Sequence, residues 1–390
     1  MRYVIVLVIS FFAGSGHSQD LISAATTFLN EKNYVEAKTA IDDAFLKPDA
    51  VNNPRAWYTK GRVYHEILKS NDPGLAKIKE NPEQLVNTII EAYDKTKTLS
   101  GENTNLFILA NNHMEKLWAH AINDGYTHYQ AQNFPAAIQS FDHAKLVKPQ
   151  DTLGYLYAGV SSQMAGRYQE AIDNYLAIKR IQPLSRSIYD YIISCKTAQR
   201  SGPDEMLDVL EEALVYYPNY IPYVLREIQI LTNQKKYEEA ESRLKTVIAR
   251  NPKDADLRLY QADLFDRIFK DAYVNGKPER SIRYFDLASQ DYEFYIESYP
   301  NDFLANFNYA VMINERANRY YVSANLLNDE EYQIRGKEIE EEGHAWTKKA
   351  LPFMERARSL KPDDEGVIKA LRSFYQRLKL DEKLAQLNNK

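Results

Sequence analysis

The sequence predicts an all-α chain laid out as a linear series of helix hairpins, on three observations. A four-position signature with steps of four, three and five residues recurs along the chain. It reads Ala137, Phe141, Ala144, Pro149, then Ala171, Tyr175, Ile178, Pro183, and again Ala240, Leu244, Val247, Pro252. Two later copies are Ala288, Tyr292, Tyr295, Pro300 and Ala350, Met354, Ala357, Pro362, and a weaker one is Met206, Leu210, Ala213, Pro218. Second, where the copies are cleanest the prolines stand 34 residues apart, from Pro149 to Pro183 and from Pro218 to Pro252, which is the period of a helix–turn–helix repeat. Third, 14 glycines and 15 prolines in 390 residues are too few for long flexible linkers.

The signature has a physical reading. Steps of four and three put its first three positions on one helical face. A small residue at the first lets a neighbouring helix approach, and an aromatic or branched residue at the second fills the space between hairpins. The proline ends the helix and sets up the next one. The first helix of each pair has its own mark, clearest in Trp57, Lys60, Gly61 and Tyr64 and partly kept in Tyr155, Ala158 and Gly159.

Together these positions resemble the tetratricopeptide repeat family, whose pattern is a bulky residue, an apolar residue and Gly, a Tyr, then Ala, Phe, Ala and Pro. By this resemblance eight repeats cover the chain after residue 20, six of them with the full second-helix spacing. The first repeat has Ala37, Ile41 and Ala44 with Pro48 one residue early; the second has Ile89, Tyr93 and Thr96 and no proline. The resemblance implies a right-handed superhelical α-solenoid closed by a C-terminal capping helix.

Element by element, Asp20 is positioned to cap a first helix through Leu21–Leu29, with a turn at Asn33 and a second helix from Val35 to Leu46. Helix Arg55–Leu68 follows Pro54. The run Ser70, Asn71, Asp72, Pro73, Gly74 then signals an inserted turn before a helix from Glu83 to Leu99. Residues 105–132 read as one long helix feeding the third repeat. Repeat seven has helices about 255–273 and to Tyr299, with a turn at Asn275-Gly276. In repeat eight the prolines are 62 residues apart, Pro300 to Pro362. The surplus sits around Ser323 to Gly336 and lengthens the helix from Glu338. Val367, Leu371, Phe374 and Tyr375 lie at helical spacing in a tail helix from Glu365 to Leu387, expected to cover the last hairpin. The expected divisions are residues 1–18, 19–104, 105–253, 254–363 and 364–390.

Residues 1–18 read as a secretory signal peptide: Met1-Arg2, an apolar run from Tyr3 to Ala13, and small residues Gly16 and Ser18 before a cut ahead of Gln19. The run is too short to span a bilayer, and no cysteine near the cut supports lipidation, so the expected location is periplasmic or extracellular with no membrane span after cleavage. Loss of Arg2 leaves 48 basic against 54 acidic residues, a net charge of −6. That disfavours nucleic acid and anionic membranes as partners. Cys195 is the only cysteine, so no internal disulfide can form. The general pattern is similar to exported repeat proteins of the Bacteroidetes type.

In the family, the first helix of each pair lines a concave groove where ligands bind. Carried onto this chain, those positions give Arg55, Tyr58, Arg62 and His65 in repeat two, and Tyr126 and Tyr129 in repeat three. Repeat four gives Leu156, Gln163 and Met164, and repeat five Tyr191 and Cys195. This aromatic and polar surface with a basic end suits an extended peptide or a partner helix, and alternatively a sugar stacked on tyrosine. The Lys/Asn/Arg clamp of the chaperone-peptide subgroup is not rebuilt, because its positions hold Tyr126, Val160 and Cys195.

No motif for chemistry stands out. There is no phosphate-binding glycine loop, no His-Glu-x-x-His run and no nucleophile elbow after residue 18. His120, Asp124 and His128 share a helical face at steps of four, which would let them share a cation, or form a hydrogen-bonded row. Glu338, Glu340, Glu341 and Glu342 read as a solvated helix face. The expectation is a non-enzymatic scaffold for a protein or peptide, with no cofactor and no metal. A carbohydrate- or small-ligand-binding protein of an envelope uptake system is the alternative, and a metal-dependent protein using the His120 stripe a third.

Overall fold

A computed structural model describes residues 18–388. The proposed signal peptide lies outside the described residues except for Ser18. The described chain is all-α, with no strand, and forms two compact units divided between Gly202 and Pro203.

In the first unit the helices are α1 (Ser18–Asn30), α2 (Tyr34–Ala44), α3 (Pro54–Lys69), α4 (Pro82–Ser100), α5 (Asn105–Gln130), α6 (Phe134–Val147), α7 (Thr152–Met164), α8 (Tyr168–Ile178) and α9 (Arg186–Ala198). Each packs on its successor along the chain, except that α2 meets α3 across the one-turn helix Pro48–Val51. First helices also touch the first helix of the following hairpin, α1 on α3, α3 on α5 and α5 on α7. That pattern of contacts with near neighbours only is the solenoid arrangement.

The second unit holds α10 (Pro203–Tyr216), α11 (Ile221–Asn233), α12 (Tyr237–Arg250), α13 (Ala255–Val274), α14 (Pro278–Ser298), α15 (Phe303–Asn325), α16 (Lys337–Leu360), α17 (Glu365–Arg377) and α18 (Asp381–Asn388). One large buried cluster runs through it from Leu207 to Tyr375, beside a small one of Ala255, Tyr295 and Ala305.

The signature positions are the core. Ala137, Phe141 and Ala144, Ala171, Tyr175 and Ile178, and Ala288, Tyr292 and Tyr295 are all buried, as are Ala350, Met354 and Ala357. The imperfect copies are buried too: Ala37, Ile41 and Ala44, and Ile89, Tyr93 and Thr96, which fixes the register of the second repeat. Removing each large side chain of this set from water contributes about 1.5–3 kcal/mol.

Most of the hairpin turns share one backbone device. The residue after the first helix's last turn is left-handed at seven of them: Lys32, Gln132, Gly166, Arg200, Lys235, Gly276 and Lys379 have φ of 63°, 58°, 74°, 57°, 59°, 66° and 55°. At each, the next amide donates back to the carbonyl five residues earlier, as in Asn33 N to Phe28 O (2.8 Å), Arg167 N to Ser162 O (2.8 Å) and Lys277 N to Ala272 O (2.8 Å). This is the Schellman closure that satisfies a helix's last carbonyls.

Three expectations are adjusted. The first helix opens at Ser18, so Asp20 lies in its first turn instead of capping it, and the Ser18 hydroxyl donates to Asp49 at 2.6 Å. The tail is not one helix: it breaks at Leu378–Leu380 into α17 and α18, because Lys379 takes the left-handed turn. The surplus of the eighth repeat is mostly ordered helix. α15 and α16 reach 23 and 24 residues and are joined by a capped turn at Asn328–Glu331 and a π-turn at Tyr332–Gly336. The added length is held by Tyr321, whose hydroxyl shares a 3.0 Å hydrogen bond with Thr347.

Candidate functional site

In the first unit the first helices carry a repeated packing step that determines which side chains stay available. Gly61, Gly125 and Gly159 each face an aromatic ring of their own hairpin's second helix. A Cβ at these positions would stand 2.6 Å, 2.6 Å and 2.5 Å from Tyr93, Phe141 and Tyr175. Glycine is therefore required by close approach. On its other side each ring stacks on a ring from the next first helix: Tyr93 on His113 at 5.4 Å, Phe141 on Tyr157 at 5.5 Å, and Tyr175 on Tyr191 at 5.4 Å. The second unit repeats the step once, with Tyr292 on Tyr309 at 5.3 Å. Such offset ring pairs add about 0.5–1.5 kcal/mol beyond area burial.

The groove candidates sort against this frame. Tyr191 is stacked on Tyr175 yet keeps 38% of its surface exposed. Gln163 is half-buried beside the same ring; its Oε1 accepts from the Tyr175 hydroxyl at 3.0 Å and its Nε2 reaches Ser194 at 3.5 Å. Tyr58 and Arg62 come together with Tyr93 and His113. The Tyr58 hydroxyl meets His113 Nε2 at 3.4 Å, and the Arg62 charge acts on Tyr58, Tyr93 and His113. Arg55 and Tyr126 are exposed, and Met164 with them. Tyr129 is drawn into the hairpin, edge-on to Phe134 at 5.8 Å and against the Ala137–Phe141 cluster.

Two positions taken from the family pattern are not open. Cys195 is fully buried, and burial pushes its thiol up to about 11, which removes thiolate reactivity at neutral pH. His65 is buried beneath Tyr93 and His113, its ring 5.8 Å from His113. Loss of hydration, reinforced by the neighbouring His113 and Lys69, holds its imidazolium down to about 3. His113 is lowered by burial as well, so this histidine pair is neutral at physiological pH.

The His120 stripe forms only in part. His120 Nδ1 meets Asp124 Oδ2 at 3.1 Å in an exposed i,i+4 pair. Among the described residues no group of three or more His, Cys, Asp or Glu is arranged to hold a metal ion. Sequence reasoning missed Tyr157 and His113. Tyr157 lies 16 residues after the signature aromatic Phe141, the same interval that separates Tyr191 from Tyr175, so a second aromatic at that interval was the available signal.

Residues 225–268, from α11 through α12 into α13, match the family model for the tetratricopeptide repeat. No curated protein matches the sequence. Among solved structures, the MamA protein is 14% identical, with 46% of this chain and 93% of that chain aligned at a TM-score of 0.34. YrrB, described as a TPR protein with an unusual peptide-binding site, is 16% identical over 46% of this chain and 90% of its own, TM-score 0.32. The TPR domain of P58(IPK) is 15% identical over 94% of this chain and 99% of its own, TM-score 0.26.

Proposed function

We infer that this chain, a tetratricopeptide-repeat protein, is a non-enzymatic scaffold that holds a peptide segment of a partner protein on the exposed face of its first helices, outside the cytosol. One observation carries the binding face. The first helices of the first unit leave Tyr126 50%, Met164 56%, Tyr157 37% and Tyr191 38% exposed. The three tyrosines supply contact area at low entropic cost, and the methionine an adaptable apolar surface. The rings of Tyr157 and Tyr191 are pinned by Phe141 and Tyr175, so they are preorganised for a partner. Arg55 and Arg62 give one end of the face a positive character that favours an acidic segment.

Export rests on residues 1–18, with cleavage ahead of Gln19. Among the described residues no helix is long and apolar enough to cross a membrane. The net charge disfavours nucleic acid.

Crosslinking in the native envelope followed by mass spectrometry tests the reading. A Tyr126→Ala/Tyr191→Ala double variant should lower yield of the specific partner about tenfold or more, as loss of an aromatic anchor does. Unchanged yield rejects the face. Mass spectrometry of the purified chain tests export independently: a mature N-terminus at Gln19 is expected, and an intact Met1 overturns it.

A further inference from the structure

The second unit contains an arginine two of whose donors the fold leaves without a hydrogen bond. Arg319, on α15, donates from Nη1 to the Ser281 hydroxyl at 2.8 Å, and Ser281 in turn donates to the Phe269 carbonyl at 2.9 Å. Its guanidinium carbon lies 3.8 Å from the ring centroids of both Phe269 and Tyr273. Nε and Nη2 are out of contact with solvent and have no hydrogen-bond partner. These two N–H groups share one edge of the guanidinium, the edge whose spacing matches the two oxygens of a carboxylate. The neighbouring Arg316 is already engaged, with Asp286 at 3.4 Å and over the Trp346 ring at 4.0 Å. The Glu315 and Asp266 carboxylates act on the Arg319 charge through space but neither is hydrogen-bonded to it, and burial still lowers its pKa; donors stripped of water and left without a hydrogen bond are costly.

Arg319 lines a cleft of about 180 Å³ between α13, α14 and α15, whose other walls include Phe269, Tyr273, Ile282, Phe285 and Tyr320. A dry apolar cavity of roughly 150 Å³ is enough for one benzene ring. Ile282 and Tyr273 stand at the mouth, 50% and 43% exposed. Nε and Nη2 are shielded from solvent and the Tyr273 ring lies over the guanidinium, so a ligand reaches them only when that side chain turns aside.

We propose that this cleft is a binding site for a small organic acid with an aromatic or branched-alkyl body, its carboxylate taken bidentately by Nε and Nη2 of Arg319 and its body by the ring walls. The site lies in the second unit and does not depend on the partner-binding face of the first. An aromatic acid satisfies the two orphaned donors and fills the apolar space together. An inorganic anion meets only the first need, and a neutral aromatic only the second.

Calorimetric titration of the full chain with phenylacetate, phenylacetamide and acetate tests the site. Phenylacetate should bind one site with a Kd of about 1 mM or tighter, well within what about ten non-hydrogen atoms can supply. The amide and acetate should each bind at least about tenfold more weakly, since each loses one half of the recognition. Arg319→Lys keeps the charge but not the fork and should weaken phenylacetate about tenfold or more. Equal binding of acid and amide by the unaltered protein overturns the proposal, as does no binding of the acid at about 10 mM, well above the expected Kd. Those two outcomes need no variant to fold. Wild-type affinity in Arg319→Lys overturns it as well.

Discussion

His65 is 4% exposed, and its Nδ1 has no hydrogen-bond partner. The ring is therefore held neutral, with its protonation pushed down to about 3 against about 6.5 in an unfolded chain. The folded value is the lower one, so the unfolded chain takes up the proton first as pH falls. The stability this histidine gives is complete above pH 6.5 and is lost progressively down to pH 3, at up to about 1.4 kcal/mol per pH unit. The melting temperature followed by circular dichroism should drop between pH 6.5 and pH 4, and His65→Leu should flatten that slope. An unchanged slope in the variant would assign the acid sensitivity elsewhere. At this scale the sequence was only partly legible. Family position put His65 and Cys195 on an open face, but burial belongs to the packing of Tyr93 over His65 and of α8 against α9, on which Cys195 lies, and no local spacing reveals it. The free edge of Arg319 was invisible for the same reason, since it exists only once Phe269, Ser281 and Tyr273 surround it.

At the scale of the hairpin, the glycine–ring–ring step explains why the motif tolerates so little at one position. Tyr175 cannot retreat from Gly159, because its ring is stacked on Tyr191 and its hydroxyl is bonded to Gln163. Gly159→Ala would gain about 1 kcal/mol in helix propensity but place Cβ 2.5 Å from the ring. Overpacking of that kind costs about 1–3 kcal/mol, so the net effect is destabilisation, read as a lower midpoint in urea unfolding. Gly202→Ala, with nothing within 4 Å, should be near neutral. A more stable Gly159→Ala would show that the ring has room to move. The hairpins themselves were legible: the spacing of Ala288, Tyr292 and Tyr295 dictates a buried face, and the proline after it dictates an end. The ring partners were harder to read, because each stacking pair joins two hairpins and no single amphipathic window contains both members. The split of the tail into α17 and α18 was hidden because Lys379 is not a residue that advertises a left-handed turn.

Across the whole molecule, stability is a sum of neighbour-to-neighbour terms. Phe374 on α17 is fully buried at the end of the second unit's continuous core. Phe374→Ala should cost about 3–5 kcal/mol. Hydrogen exchange should accelerate through α15–α18 and leave α1–α8 protected; a uniform loss from end to end would contradict a linear array. The repeat period made this architecture readable from the chain, whereas the division at Gly202–Pro203 is marked only by a one-residue slip, Pro183 to Pro218 standing 35 residues apart. The left-handed turns carry one more implication. Five of them hold a long polar residue where glycine would rest more easily, at Lys32, Gln132, Arg200, Lys235 and Lys379, and each of these forgoes about 1 kcal/mol. They are widely separated in sequence, so relief at one should leave the others untouched. The protein thus keeps an unspent reserve of heat tolerance, adjustable one turn at a time without disturbing a single packed side chain.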